Sequence, residues 1–129
     1  MVVRKEVCLT QSEWYVMDCL WAYAPQTVMQ LATDLSQRAG WAKSTTITTL
    51  RRMKDKGLLH CQVEGRAKHY TPAVERQSAA RRETRSFLDR VYQGSVGLMV
   101  SSLVRDEALS REEIDELYDI LRRAEEEGS

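Results

Sequence analysis

The sequence lacks the features that mark several large classes of protein. None of its apolar runs approaches the roughly 18 residues that a membrane-spanning helix needs, and its first residues carry no signal-peptide core. Cys8, Cys19 and Cys61 are odd in number and irregularly spaced, which argues against a disulfide framework. With 129 residues, 43% of them hydrophobic and 29% charged, the chain is expected to be a cytoplasmic protein of one domain or two small ones.

Motifs of catalysis and cofactor binding are also missing. The sequence contains no glycine-rich phosphate loop, no H-E-x-x-H pair and no G-x-S-x-G turn. The adjacent Glu112 and Glu113 follow Ser110, which makes them part of a helix-capping box rather than an acid–base pair. We therefore expect no enzymatic activity and no cofactor.

Two histidines and a cysteine lie close together in the chain and raise the question of a metal site. A hairpin that turns at Glu64-Gly65 would pair His60 with His69 and direct Cys61 to the opposite face, because side chains alternate along a strand. Two ligands fall short of the three or four that zinc takes from a protein. We therefore expect no metal here.

Charge is balanced over the whole chain but not along it. Lys plus Arg and Asp plus Glu both number 19, yet residues 1–73 carry ten basic and six acidic side chains. Within residues 38–68, eight basic side chains face only two acidic ones. This local excess indicates a surface for an anionic partner; a solvated basic face without a partner is the alternative.

Three short helices are predicted in the first part of the chain. Capping boxes at Thr10 and Thr27 start the first two, and apolar residues recur behind them at helical spacing. A third helix is predicted from about Ser44 to Lys56, ending at Gly57.

After the third helix the pattern changes to that of a hairpin. Leu58–Val63 and Ala67–Thr71 read as strands around a turn that contains Gly65. Three helices followed by a hairpin is the order of a winged helix-turn-helix domain, which we assign to residues 1–73. The expected fold class is mainly α with a small β-hairpin wing.

The third helix has an unusual composition for a helix. Leu50 and Met53 anchor its inner face, whereas Thr45–Thr49 are five successive β-branched residues, which are poor helix formers. Thr45 and Thr48 are predicted to meet base edges, and Ile47 to meet a thymine methyl or to pack on the second helix. Contacts to phosphates are predicted for Lys43, Ser44 and Arg52 and, from the wing, for Arg66 and Lys68.

The remaining residues, 74–129, are predicted to form three helices. So short a segment cannot enclose a good core alone, and two-fold dimers dominate among oligomers. We therefore predict a dimerisation domain in which the apolar contacts are Leu98, Leu103, Ile114, Leu117, Tyr118 and Leu121.

Four motifs occur in order along the chain. They are L-T-x-x-E-W-x-V-M-x-x-L-W from Leu9, W-x-x-x-T-x-x-T-x-L-x-R-M-x-x-K-G from Trp41, E-G-R-x-x-x-Y-x-P from Glu64 and S-F-L-x-R-x-Y-x-G from Ser86. Together they resemble the penicillinase-repressor family, which includes the repressors of β-lactamase, of methicillin resistance and of copper-transport operons.

This resemblance implies a homodimeric winged-helix transcriptional repressor on a palindromic DNA operator, in the setting of antibiotic resistance. In the antibiotic-resistance branch of the family, a membrane sensor with a zinc-protease domain ends repression by causing cleavage within the dimerisation helices. The matching bond here is Ser102-Leu103, where the best-known branch has Asn-Phe. The Cys-x-Cys pair of the copper branch has no counterpart, because residues 62–129 contain no cysteine. The chain itself is not expected to insert into a membrane.

A second function from another class stays open. Winged-helix domains sometimes serve as protein–protein interaction modules that do not read a DNA sequence. The basic excess and the Ser/Thr-rich third helix favour DNA, because protein interfaces are depleted of Lys and enriched in large aromatic residues.

Overall fold

The computed structural model of the chain describes residues 8–128. Its elements are α1 (Gln11–Ala22), β1 (Gln26–Thr27), α2 (Val28–Ala39), α3 (Lys43–Asp55), β2 (Leu59–Glu64), β3 (Ala67–Pro72), α4 (Arg76–Tyr92), α5 (Val96–Arg105) and α6 (Arg111–Gly128). They form two compact units that divide between Ser86 and Phe87, inside α4.

The capping boxes that the sequence predicts are present at three helix starts. In each, the hydroxyl of the cap residue accepts from the backbone of the third helical residue, whose side chain accepts in return from the cap backbone. The pairs are Thr10 with Glu13, Thr27 with Gln30 and Ser110 with Glu113. The second helix ends at Ala39, and its C-cap residue Gly40 has a φ of +70°, which suits a residue without a Cβ.

The first unit has a continuous hydrophobic core beneath the three helices. Side chains from α1, α2, α3 and the sheet are excluded from solvent there, among them Met17, Leu20, Leu31, Leu35, Leu50, Met53 and Tyr70. Trp14 and Trp21 flank this core half-buried, with ring centroids 5.7 Å apart in an edge-to-face arrangement. The predicted winged helix-turn-helix fold is confirmed.

The sheet has one strand more than the hairpin predicts. The short β1 pairs antiparallel with β3, which gives the order β1-β3-β2. The sequence offers no periodic signal for β1, because it has only two residues and leads directly into α2.

The predicted register of the hairpin is wrong by two residues. Glu64 pairs with Ala67, so the turn consists of Gly65 and Arg66, and His60 lies opposite Thr71 rather than His69. The turn lies one residue later in the chain than predicted, because Gly65, with a φ of +64°, occupies its first central position rather than its second.

The start of α4 packs against α1 within the first unit. The Trp21 Nε1 group donates to the carbonyl of Val74 over 3.0 Å, and Arg76 pairs with Asp18 over 3.1 Å. The Arg76 guanidinium also lies 5.2 Å from the centre of the Trp21 ring. These contacts tie residues just beyond 73, where the sequence divides the chain, to the first compact unit, which extends to Ser86.

The second unit contains the end of α4 and the helices α5 and α6. Neither α5 nor α6 has a single buried residue, although both have an apolar face. Within the part of the chain that the structure describes, no helix has the length and apolar character to cross a bilayer.

Candidate nucleic-acid interface

The third helix of the first unit has two sharply different faces. Thr46, Thr49, Leu50 and Met53 are buried against the core, with Thr46 and Met53 fully excluded from solvent. The opposite face carries hydroxyls and cations in water. The β-branched run Thr45–Thr49 is thus tolerated because Thr46 and Thr49 pack against the core, and its other three residues are available to a partner.

All eight residues predicted to contact DNA are exposed. Six of them lie on α3, whose bounds include Lys43, and the other two lie at the tip of the hairpin and on β3. The six residues on α3 therefore share one exposed surface, while Arg66 and Lys68 lie on the wing. The set is Lys43, Ser44, Thr45, Ile47, Thr48, Arg52, Arg66 and Lys68.

Ile47 lies partly exposed at the edge of α3. Its side chain keeps 37% of its surface in solvent, and it borders a groove that Val28 of α2 also lines. Contact with a thymine methyl and packing on α2 both stay predictions for this residue.

A charged pair ties the end of α3 to the start of α1. Lys56, the C-cap of α3, donates from Nζ to the Glu13 carboxylate over 2.5 Å. Glu13 is only 3% exposed and also closes the first capping box with Thr10. One buried carboxylate thus satisfies two donors and holds α3 to α1. The sequence identified Glu13 as a capping residue, but spacing alone gives no sign of its distant partner.

The first turn of α3 has no side-chain cap. Its N-cap residue is Ala42, which has no oxygen to offer the free backbone N–H groups. These groups and the adjoining Lys43 make the start of the helix attractive to anions.

Two further basic residues of α3 are not among the eight predicted DNA contacts. Arg51 and Lys54 are exposed and lie toward the wing, where they line a groove with Lys68. A helical projection at 100° per residue places Arg51 between Ile47 and Thr48, so this position could have been found from the sequence.

Trp41 and the three cysteines are buried or half-buried within the first unit. Trp41 packs against the core, with its ring 6.2 Å from that of Tyr15. Burial raises the pKa of the Cys19 thiol to about 12, with a further contribution from Asp34. All three cysteines are free, and residues 8–128 contain no group of three or more potential metal ligands.

In the second unit, the residues predicted for dimerisation lie on its surface. Leu98, Tyr118 and Leu121 are each more than half exposed, and Leu103 is 39% exposed. Ile114 and Leu117 are half-buried. The proposed cleavage pair, Ser102 and Leu103, lies inside the helix α5.

A recognition helix with a free polar face, supported by two helices and a three-stranded wing, defines a winged helix-turn-helix protein. A family model described as the penicillinase repressor matches residues 9–123. The chain therefore belongs to the penicillinase repressor family.

Two of its relatives match over nearly their full length. The penicillinase repressor of Bacillus licheniformis is 34% identical over 119 residues, which are 92% of this chain and 93% of that protein. The methicillin resistance regulatory protein MecI of Staphylococcus aureus is 25% identical over 89% of this chain and 94% of its own length.

Two solved structures each match a little more than half of this chain. The DNA-binding domain of the repressor BlaI is 28% identical with a TM-score of 0.51, and the match covers 54% of this chain and 85% of that domain. The monomeric form of Bacillus licheniformis BlaI in complex with the blaP half-operator is also 28% identical, with a TM-score of 0.50 over 56% of this chain and 88% of that one.

Proposed function

We propose that this chain is a sequence-specific DNA-binding transcriptional repressor that acts in the cytoplasm as a homodimer on a palindromic operator. In this role α3 enters the major groove and the wing contacts the flanking backbone. The proposal assigns no catalytic role and no cofactor to the chain.

The observation that carries the proposal is the outer face of α3. Thr45 and Thr48 offer hydroxyls and methyl groups suited to base edges, and Lys43 and Arg52 lie on the same exposed surface to hold phosphates. The solved complex of a relative with a half-operator supports the same use of this fold.

The second unit supports the proposed homodimer. Its helices α5 and α6 have no fully buried residue, and a second copy would bury their exposed apolar side chains. Two recognition helices would then meet two half-sites, whose centres in such complexes lie about one helical turn or a multiple apart.

The test is a selection of duplexes from a random pool by the full-length chain. We expect enrichment of a palindromic site whose affinity falls steeply with salt, because bound phosphates release counterions. Failure to enrich any sequence, with salt-insensitive retention on duplex DNA, would favour the protein–protein interaction module instead.

We further propose that repression ends when the dimer is broken, by proteolysis near Ser102-Leu103. The bond lies in α5, so a protease needs local unfolding, which the nearby Gly94 and Gly97 facilitate because glycine is a poor helix former. The test exposes the native host to a β-lactam and follows the chain by mass spectrometry. Cleavage in this segment is expected, and induction with an intact chain would contradict the proposal.

A further inference from the structure

A groove lies between α3 and the inner face of the wing. Its volume is about 280 Å³, and its floor includes Val28, Leu50 and Tyr70. Leu50 and Tyr70 are almost fully buried, at 1% and 6% exposure. The groove therefore has an apolar floor with one aromatic ring, close to the surface proposed to bind DNA.

The walls of this groove are basic. Arg51 and Lys54 project from α3, Lys68 comes from β3, and Asp55 is the single acidic residue of the lining. Within residues 8–128, none of the three cations forms an ion pair or a side-chain hydrogen bond. Three cations against one carboxylate leave the lining of this concave site with an excess of positive charge, which attracts an anion because low-dielectric walls concentrate the field.

The Tyr70 ring remains neutral in this setting. Burial and the neighbouring Cys61 raise the pKa of its hydroxyl, while the nearby positive charge of Arg51 acts in the opposite direction. The floor thus offers an uncharged ring to a ligand, and the Arg51 charge lies within electrostatic reach of it.

We propose that this groove binds a small organic oxyanion, a carboxylate or phosphate on a compact apolar or aromatic body. Arg51, Lys54 and Lys68 hold the anionic group. The body rests on Val28, Ile47 and the accessible edge of the Tyr70 ring. The volume is just below the range of roughly 300–1,000 Å³ typical of small-molecule sites, so it suits a ligand of about one ring. A DNA strand across the mouth would contact the cations but leave the apolar floor unfilled.

Such a ligand would compete with DNA. Ile47 and Lys68 line the groove and also belong to the proposed DNA-contacting surface. This competition rests on the proposed function, whereas binding of the anion does not.

The binding test titrates the full-length chain with phenyl phosphate at constant ionic strength and follows backbone amide shifts. We expect saturable shifts at Leu50, Arg51 and Tyr70, with a dissociation constant on the order of 1 mM. Arg51→Gln and Lys68→Gln should each weaken binding about tenfold, which is the effect of losing one charge-assisted contact. Arg81→Gln, which removes an exposed cation from α4, should leave it unchanged.

Sodium sulfate at the same ionic strength controls for general anion effects. Absence of saturable shifts with phenyl phosphate, or equal binding by the wild type and both groove variants, overturns the proposal. Spectra of the variants that otherwise match the wild type establish that these exposed substitutions leave the fold intact.

A second measurement separates this site from the proposed function. Phenyl phosphate should displace the selected duplex from the wild-type chain at constant ionic strength, and more effectively than sulfate does. If phenyl phosphate binds but the duplex stays bound, the competition is wrong. If the chain selects no DNA yet binds phenyl phosphate through these residues, the proposed function fails and the groove stands.

Discussion

The two units of this chain hide their apolar residues to very different degrees. In the first, core side chains such as Val16, Met17 and Leu35 are fully excluded from solvent. In the second, no residue of α5 or α6 is fully buried, and Tyr118 and Leu121 are 64% and 63% exposed. The first unit has a core of its own, whereas the second exposes much of its apolar surface. We infer that reading DNA and forming the dimer are separable tasks of this chain.

The largest effect should come from breaking the second unit's surface. Leu117→Glu with Leu121→Glu would place two carboxylates in the proposed interface and yield monomers. Because joined half-sites bind with an effective-concentration advantage on the order of 10²–10⁴, operator affinity should fall by a comparable factor. Analytical ultracentrifugation and DNA binding measure both quantities.

The control for this variant is Arg123→Glu, an exposed substitution on the same helix. It should leave the dimer intact. A double variant that sediments as an unchanged dimer would remove the assignment of the interface to α6.

A second comparison replaces one leucine in each unit. Leu50→Ala, in the core beneath α3, should lower the free energy of unfolding by about 2–5 kcal/mol, because it leaves a cavity. Leu98 is 53% exposed, so Leu98→Ala should change the free energy of unfolding of the monomer by about 0.5 kcal/mol or less. Denaturant unfolding of both variants, at concentrations where the chain is monomeric, checks the contrast. Similar losses in both would mean that the second unit has a core of its own.

The Lys56–Glu13 pair tests how α3 is held. Lys56→Met leaves the buried Glu13 carboxylate without this partner, and should destabilise the first unit by about 1–3 kcal/mol. That is less than the roughly 3–5 kcal/mol of a fully buried pair, because Lys56 is partly exposed. Lys54→Met removes a charge two residues away without losing an ion pair, and serves as the control. Equal unfolding midpoints for the two variants would contradict this role.

Two substitutions on α3 should distinguish base contacts from phosphate contacts. Thr48→Ala should reduce discrimination between operator and scrambled DNA by about 1–3 kcal/mol. Arg52→Ala should weaken both DNAs alike and lower the salt slope by about one. Binding of both variants over several salt concentrations gives the two quantities. A change of preference in Arg52→Ala with an intact slope would reverse the assigned roles.

Most of the first unit's architecture could be predicted from local chemistry. The capping boxes at Thr10 and Thr27 and the left-handed Gly40 depend on neighbours within a few residues, so they can be read directly from the sequence. The inner face of α3 followed from Leu50 and Met53, with Thr46 and Thr49 beside them.

Features that depend on distant residues could not be predicted in the same way. The strand β1 forms by pairing with β3, which is distant in the chain. The hairpin register depends on which central position of the turn Gly65 occupies. The Lys56–Glu13 pair joins residues far apart in the chain. The groove between α3 and the wing needs the packed sheet, although its cations were visible in the basic stretch.

The most direct test of the two-task account compares a full palindromic duplex with a half-site duplex for the wild-type chain and for the Leu117→Glu, Leu121→Glu variant. The wild type should bind the full site tighter by a factor on the order of 10²–10⁴. The variant should bind both duplexes with nearly the same affinity as the wild type binds the half-site. A wild type without preference for the full site, or a variant that loses half-site binding as well, would contradict the account.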